Sequence, residues 1–132
     1  MWSDVISKYD EASVAWYNRG NIKMRAGDKD GAVADYTKAI ELNNDYISAY
    51  VNRGNVYQER KEYDLAEADF TSAIEINRSL VLGFINRAAV RMEQKNYKGA
   101  LEDYSAVLAI DSSITEIYFQ RAIAQRLLSP DF

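Results

Sequence analysis

Histidine and cysteine are absent from the 132 residues, so the side chains able to do chemistry are carboxylates, hydroxyls, amides and amines. That removes the commonest general base, the thiolate nucleophile and nearly every zinc site. Two acid pairs lie close in sequence, Asp28 with Asp30 and Glu67 with Asp69. Nothing converges on either from distant sequence, and helix capping and solvated faces account for both. Gly20, Gly27 and Gly31 cluster loosely, yet no Lys-Ser or Lys-Thr follows at the spacing a phosphate loop needs. Ten tyrosines would give stacking surfaces for nucleic-acid bases, but many fall at core-like positions of a repeat. The net charge of -4 opposes the cationic surface that phosphate backbones or anionic lipids require. The sequence therefore predicts no catalytic residue, no metal, no cofactor and no nucleic-acid partner.

The chain has the size of one domain, and 48% hydrophobic with 27% charged residues is enough apolar material for one core. No apolar run approaches the roughly 18 residues of a membrane helix, and residues 1–9 have neither the basic start nor the apolar middle of a signal peptide. Without cysteine there is no disulfide framework and no reading of redox compartment. Localisation is open, with the cytoplasm as default.

What positions these side chains is a repeat. Asn18-Arg19-Gly20-Asn21 recurs as Asn52-Arg53-Gly54-Asn55, as Asn86-Arg87-Ala88-Ala89 and as Gln120-Arg121-Ala122-Ile123, always 34 residues on. Ala34-Asp35-Tyr36-Thr37, Ala68-Asp69-Phe70-Thr71 and Glu102-Asp103-Tyr104-Ser105 keep the same period. Apolar residues within a unit follow helical spacing: Trp16, Gly20 and Ile22, then Ala32, Val33, Tyr36, Ala39 and Ile40. Each unit is two amphipathic helices. Breaks fall at Gly27-Asp28, Lys61-Glu62 and Lys95-Asn96 inside units, and at Asn43-Asn44-Asp45, Asn77-Arg78-Ser79 and Asp111-Ser112-Ser113 between them. Asp64 with Glu67 reads as a capping pair opening a helix. Connections this short make neighbouring helices antiparallel.

The pattern resembles the tetratricopeptide repeat, whose signature is an aromatic, Leu-Gly, Tyr, then Ala with an aromatic four later, then Pro. Trp16, Gly20, Ala32 and Tyr36 carry it in the first unit; Tyr50, Gly54, Tyr57, Ala66 and Phe70 in the second; Phe84, Ala88, Ala100 and Tyr104 in the third. The resemblance implies an all-α fold, a right-handed superhelical solenoid of antiparallel helix pairs with seven to eight helices. It divides a single domain, 1–128, into a partial repeat (1–12), repeats at 13–46, 47–80 and 81–114, the first helix of a fourth (115–128) and a tail (129–132). Two departures are systematic. Asn44, Arg78 and Ser112 replace the family's Pro. Arg19, Arg53, Arg87 and Arg121 replace its Leu, while Asp35, Asp69 and Asp103 recur in the following helix, which reads as a ladder of structural ion pairs or as a basic strip for an acidic ligand.

In this family the first helix of each unit lines a concave groove that holds peptides. The resemblance puts there Val14, Tyr17, Asn21 and Met24; then Ser48, Val51, Asn52, Asn55 and Gln58; then Leu82, Ile85, Asn86, Ala89 and Met92; and last Glu116, Phe119 and Ile123. Asn18, Asn52 and Asn86 could hold a ligand's backbone or bond the helices to each other. One subclass clamps the acidic C-terminal tails of heat-shock chaperones with Lys, Arg and Asn. Asn21 and Asn52 match two clamp positions, but Tyr17, Leu82 and Asn86 stand where cations belong. The expectation is a scaffold for protein-protein interaction, binding a peptide or helix by apolar and amide contacts, and not a receptor for chaperone tails.

On the 34-residue grid Trp2, Val5 and Ile6 fall where Tyr36, Ala39 and Ile40 stand, so 1–12 reads as the tail of a second helix without its first. Thr115 to Leu128 is a first helix without its second, stopped at Ser129-Pro130. The alternative function is self-assembly: Trp2, Val5 and Ile6 of one copy covering Leu127 and Leu128 of another, a head-to-tail homo-oligomer.

Overall fold

The computed structural model describes residues 2–129, without the side chains of 2–9. Those residues form seven helices and no strand: α1 (Trp2–Arg25), α2 (Lys29–Leu42), α3 (Ile47–Glu59), α4 (Tyr63–Ile76), α5 (Val81–Glu93), α6 (Tyr97–Ile110) and α7 (Thr115–Leu128). Each packs against the next in sequence, the arrangement of a solenoid of helix pairs. None is long and apolar enough to cross a membrane.

One turn closes every pair. Gly27, Lys61 and Lys95 take φ of 82°, 60° and 63°, the left-handed region. The next residue donates its N–H back across the helix end, Asp28 to Lys23, Glu62 to Tyr57 and Asn96 to Arg91, each at 2.8 Å. This is a Schellman ending, which satisfies the orphan carbonyls of α1, α3 and α5. Asp28 and Asn96 then cap the following helix, accepting from the N–H groups of Gly31 and Gly99. Glu62, one methylene longer, makes no such bond. The expected capping pair is corrected here: α4 begins at Tyr63, so Asp64 lies inside it. Asp64 accepts from Gln94 at 2.9 Å and Glu67 from Arg91 at 2.8 Å, joining α4 to α5.

A second turn joins one pair to the next and does the work of the missing proline. The side chains of Asn43, Asn77 and Asp111 accept from the backbone N–H two residues on, at Asp45, Ser79 and Ser113. Such Asx turns compete with helix continuation and stop it. The Ser113 hydroxyl adds a bond to Asp111, and these bonds hold its carboxyl below the ordinary aspartate range. Residues 9–11 carry Tyr-Asp-Glu in place of this turn. The expected boundary at 12/13 is accordingly absent as a break, and α1 runs through it without interruption.

The core is built where two helices approach closely. A Cβ added to Gly20 would lie 2.7 Å from the Tyr36 ring, and one added to Gly54 would lie 2.7 Å from Phe70. Ala88 is buried in one cluster with Ala100 and Tyr104. Small residues let each aromatic ring lie against the facing helix backbone, as the repeat pattern implied. Gly54→Val should therefore cost about 1–3 kcal/mol by overpacking. Lys61 and Lys95 hold a conformation that strains an L-residue, so Lys61→Gly and Lys95→Gly should each stabilise by about 0.5–1 kcal/mol. Urea denaturation of the three variants checks both signs.

Candidate partner-binding groove

The groove depends on how the helix pairs are held in register, and that is the task of the arginines. Arg53 grips Asp69 through two bonds of 2.8 and 2.7 Å and donates a third, at 3.0 Å, to Thr37 of the preceding pair. Arg87 repeats this with Asp103 and with Thr71 of α4. Arg19 meets Asp35 at 3.0 Å and stays 59% exposed, against 17% for Arg53 and 15% for Arg87, which lie between two pairs. Each guanidinium also lies over a ring three residues earlier, Trp16, Tyr50 or Phe84. The carboxylates are buried. Asp35 and Asp103 receive a second cation, Lys23 and Arg91, each at 3.1 Å. Tyr57 occupies that place beside Asp69, whose carboxyl burial pushes above the ordinary range while Arg53 pulls it partly back. At Arg53 and Arg87 the strip is thus structural, with both charges spent inside the solenoid.

On the other side of the first helices, asparagines run from pair to pair. Asn52 donates to Asn21 and to the Tyr17 hydroxyl, both at 3.0 Å, and Asn86 donates to Asn55 at 3.4 Å. Tyr36 reaches through from α2 and donates to Asn21 at 2.5 Å. Burial raises the Tyr36 phenol above its ordinary value and keeps it protonated as a donor. Asn21, Met24, Arg25, Tyr36, Asn52, Asn55 and Glu59 surround an open concavity of ≈ 380 Å³ between α1 and α3. Asn52 and Asn86 therefore bond helix to helix, Asn18 stays exposed, and Asn21, Asn52 and Asn55 edge this hollow.

The expected lining residues divide into three groups. Asn21, Met24, Asn52 and Asn55 line the hollow, with Gln58, Asn86, Ala89, Ile123 and Tyr17 half-buried. Tyr17 stacks against Tyr36 and Tyr46. Ile85 and Met92 are half-buried against the cluster of Ala88, Tyr104 and Ile117. Val14, Leu82 and Phe119 are exposed, Leu82 at 52% and Phe119 at 66%. Val51 is a correction: it is buried with Ala66, Phe70 and Val90, because the next pair packs there through Val90 of α5. Arg25 and Glu59 went unnamed. Both continue the asparagine stripe one helical turn on, from Asn21 and Asn55, and that spacing was the available signal. Of the expected self-association residues, Leu127 and Leu128 are exposed, and the side chains of Trp2, Val5 and Ile6 lie outside the described residues. Among the described residues no three His, Cys, Asp or Glu gather as a metal site.

A solenoid of antiparallel helix pairs, with a 34-residue period and a groove along its first helices, defines a helical-repeat domain. The TPR repeat family matches residues 20–60 and the tetratricopeptide repeat family residues 47–80, so the chain carries tetratricopeptide repeats. Solved structures agree in fold. The Arabidopsis OM64 TPR domain is 26% identical with TM-score 0.80, over 89% of this chain and 98% of that one. The first TPR of Spaghetti (RPAP3), bound to the HSP90 peptide SRMEEVD, is 24% identical with TM-score 0.83, over 91% and 95%. The TPR2B domain of yeast Sti1, as its pHsp70 complex, is 24% identical with TM-score 0.78, over 88% and 98%. Among curated proteins no relative matches.

The ladder is open to a double-mutant test. Asp69→Ala should cost about 3 kcal/mol, because it leaves Arg53 buried without its carboxylate. Pairing it with Arg53→Met should restore much of that loss, and chemical denaturation of the two single variants and the double variant measures the coupling.

Proposed function

We propose that this domain is a protein-interaction module that holds an extended segment or amphipathic helix of a partner protein in its groove. The observation that carries this reading is the division of the groove. Half-buried amides of Asn21, Asn52, Asn55 and Asn86 edge its first half, and exposed Leu82 and Phe119 stand on the helices of its second. Amides oriented by neighbouring helices keep a free donor or acceptor each for a ligand's backbone. Exposed large apolar side chains mark contact surfaces for apolar anchors.

Similar domains hold HSP90 and HSP70 peptides, which supports a peptide as the ligand class. The two peptides bound by those domains, SRMEEVD and SGPTIEEVD, end in Glu-Glu-Val-Asp. In this chain Tyr17, Leu82 and Asn86 stand where a carboxylate clamp has cations, and the arginines of the repeat are engaged with Asp35, Asp69 and Asp103. At those clamp positions a terminal carboxylate would find no cation to pair it. The ligand we propose is therefore largely apolar.

Selection of displayed peptides on the wild-type domain, with counter-selection on a Leu82→Glu, Phe119→Glu variant, tests this. Both residues are exposed, so the variant should fold normally by circular dichroism. Selected peptides should carry apolar anchors, lose at least about tenfold in affinity on the variant, and change less than about threefold between low and moderate salt. Preferential binding of SRMEEVD with a steep salt dependence would refute the reading.

A further inference from the structure

Each amide of the hollow between α1 and α3 is turned one way by a neighbour, and the ends left over form a fixed set of donors and acceptor. Asn21 Oδ1 accepts from Tyr36 at 2.5 Å and from Asn52 at 3.0 Å, so Nδ2 is its open end. Asn52 spends both Nδ2 hydrogens, on Asn21 and on the Tyr17 hydroxyl, and keeps Oδ1. Asn55 Oδ1 accepts from Asn86, which leaves its Nδ2. Among the described residues these three remaining atoms have no partner, and none of them is buried, so they reach solvent at the open concavity of ≈ 380 Å³. One helical turn beyond Asn21 and Asn55, Arg25 and Glu59 line the same hollow with opposite charges.

From this arrangement we infer that the hollow is a specificity subsite for a carboxamide side chain, a glutamine or asparagine of the segment held in the groove; the inference rests on the groove reading above. A carboxamide is neutral and carries both an acceptor for Asn21 and Asn55 and donors for Asn52. A carboxylate would set its charge against Asn52 Oδ1 and Glu59. An ammonium or guanidinium would meet the amide donors of Asn21 and Asn55 and the charge of Arg25. An apolar side chain would cover three polar atoms without bonding any of them. A peptide group of the ligand's backbone has the same chemistry as the side chain, so the test must separate the two. Tyr36 is the positioning residue, because its hydroxyl helps to fix which end of Asn21 faces out. Phe70 takes the same place against Gly54 in the second pair, so the packing does not require that hydroxyl.

The probes are three capped amino acids that share one backbone, the N-acetyl methylamides of glutamine, glutamate and methionine, each titrated into the intact 132-residue chain. Binding is read on the side-chain NH2 resonances of the asparagines. The glutamine probe should shift Asn21 and Asn55 saturably and bind about tenfold more tightly than either of the others, the worth of one to two net hydrogen bonds. In Tyr36→Phe, with its fold checked by circular dichroism, that preference should fall to about threefold or less; the wild-type comparison needs no variant. Equal shifts from the glutamine and methionine probes would assign the hollow to ligand backbone and overturn the inference. So would tighter binding of the glutamate probe, or the lack of a saturable shift at these amides. Groove peptides that bind with no glutamine or asparagine preference refute this inference alone, whereas a glutamine preference without any groove peptide refutes the groove reading alone.

Discussion

The position of every helix pair rests on a guanidinium held between two neighbours. Arg53 takes the carboxylate of its own pair and a hydroxyl of the one before, so a single side chain measures the distance to both. A planar fork with fixed donor directions does this where a lysine would not, because the Nε and Nη donors cannot be swung independently. The cost is the desolvation of Asp69, visible in its raised carboxyl, and the return is register more than stability. Slip by one residue would strand a buried charge, so the alternatives to the observed packing are penalised heavily. Uniform stacking of repeats with glycine or alanine at their contacts needs such a device, since small residues by themselves interlock weakly.

That constraint was legible because it repeats. Arg19, Arg53 and Arg87 answer Asp35, Asp69 and Asp103 across a constant interval, and an interval that joins two helices of one unit implies contact. The small-residue positions were legible for the same reason. Asn43, Asn77 and Asp111 were visible only as polar break residues. Their function as Asx turns depends on which backbone N–H the side chain finds, and periodicity does not encode that. The capping assignment at Asp64 failed on similar ground. The Schellman ending of α3 already sets where α4 can begin, so a local pattern was overruled by the turn before it.

The groove was less legible than the fold, and its amides show why. Asn52 and Asn86 recur, which marks them as constrained without saying by what. In three dimensions Asn52 donates to Asn21 and Tyr17, and Asn86 to Asn55, each time on the first helix of the preceding pair. Val51 looked like a lining residue by spacing alone. The helix carries it toward Phe70 and Val90 because adjacent pairs meet there, a contact that no single-helix periodicity contains. Arg25 and Glu59 were missed although the stripe from Asn21 and Asn55 leads to them. They lie at helix ends, where the stripe runs out into the turn.

These arguments also separate two kinds of surface on the domain. The groove's polar groups are largely satisfied by neighbours, so a ligand there adds contacts to a finished structure and needs shape and apolar anchors to gain affinity. The face between the two helices of a pair is different in kind: it sets a guanidinium and a small residue against an aspartate and an aromatic ring, three times over. A solenoid stabilised by nearest-neighbour terms therefore fixes each next helix by sequence pattern, whereas an occupant of the groove would be recognised mainly by shape.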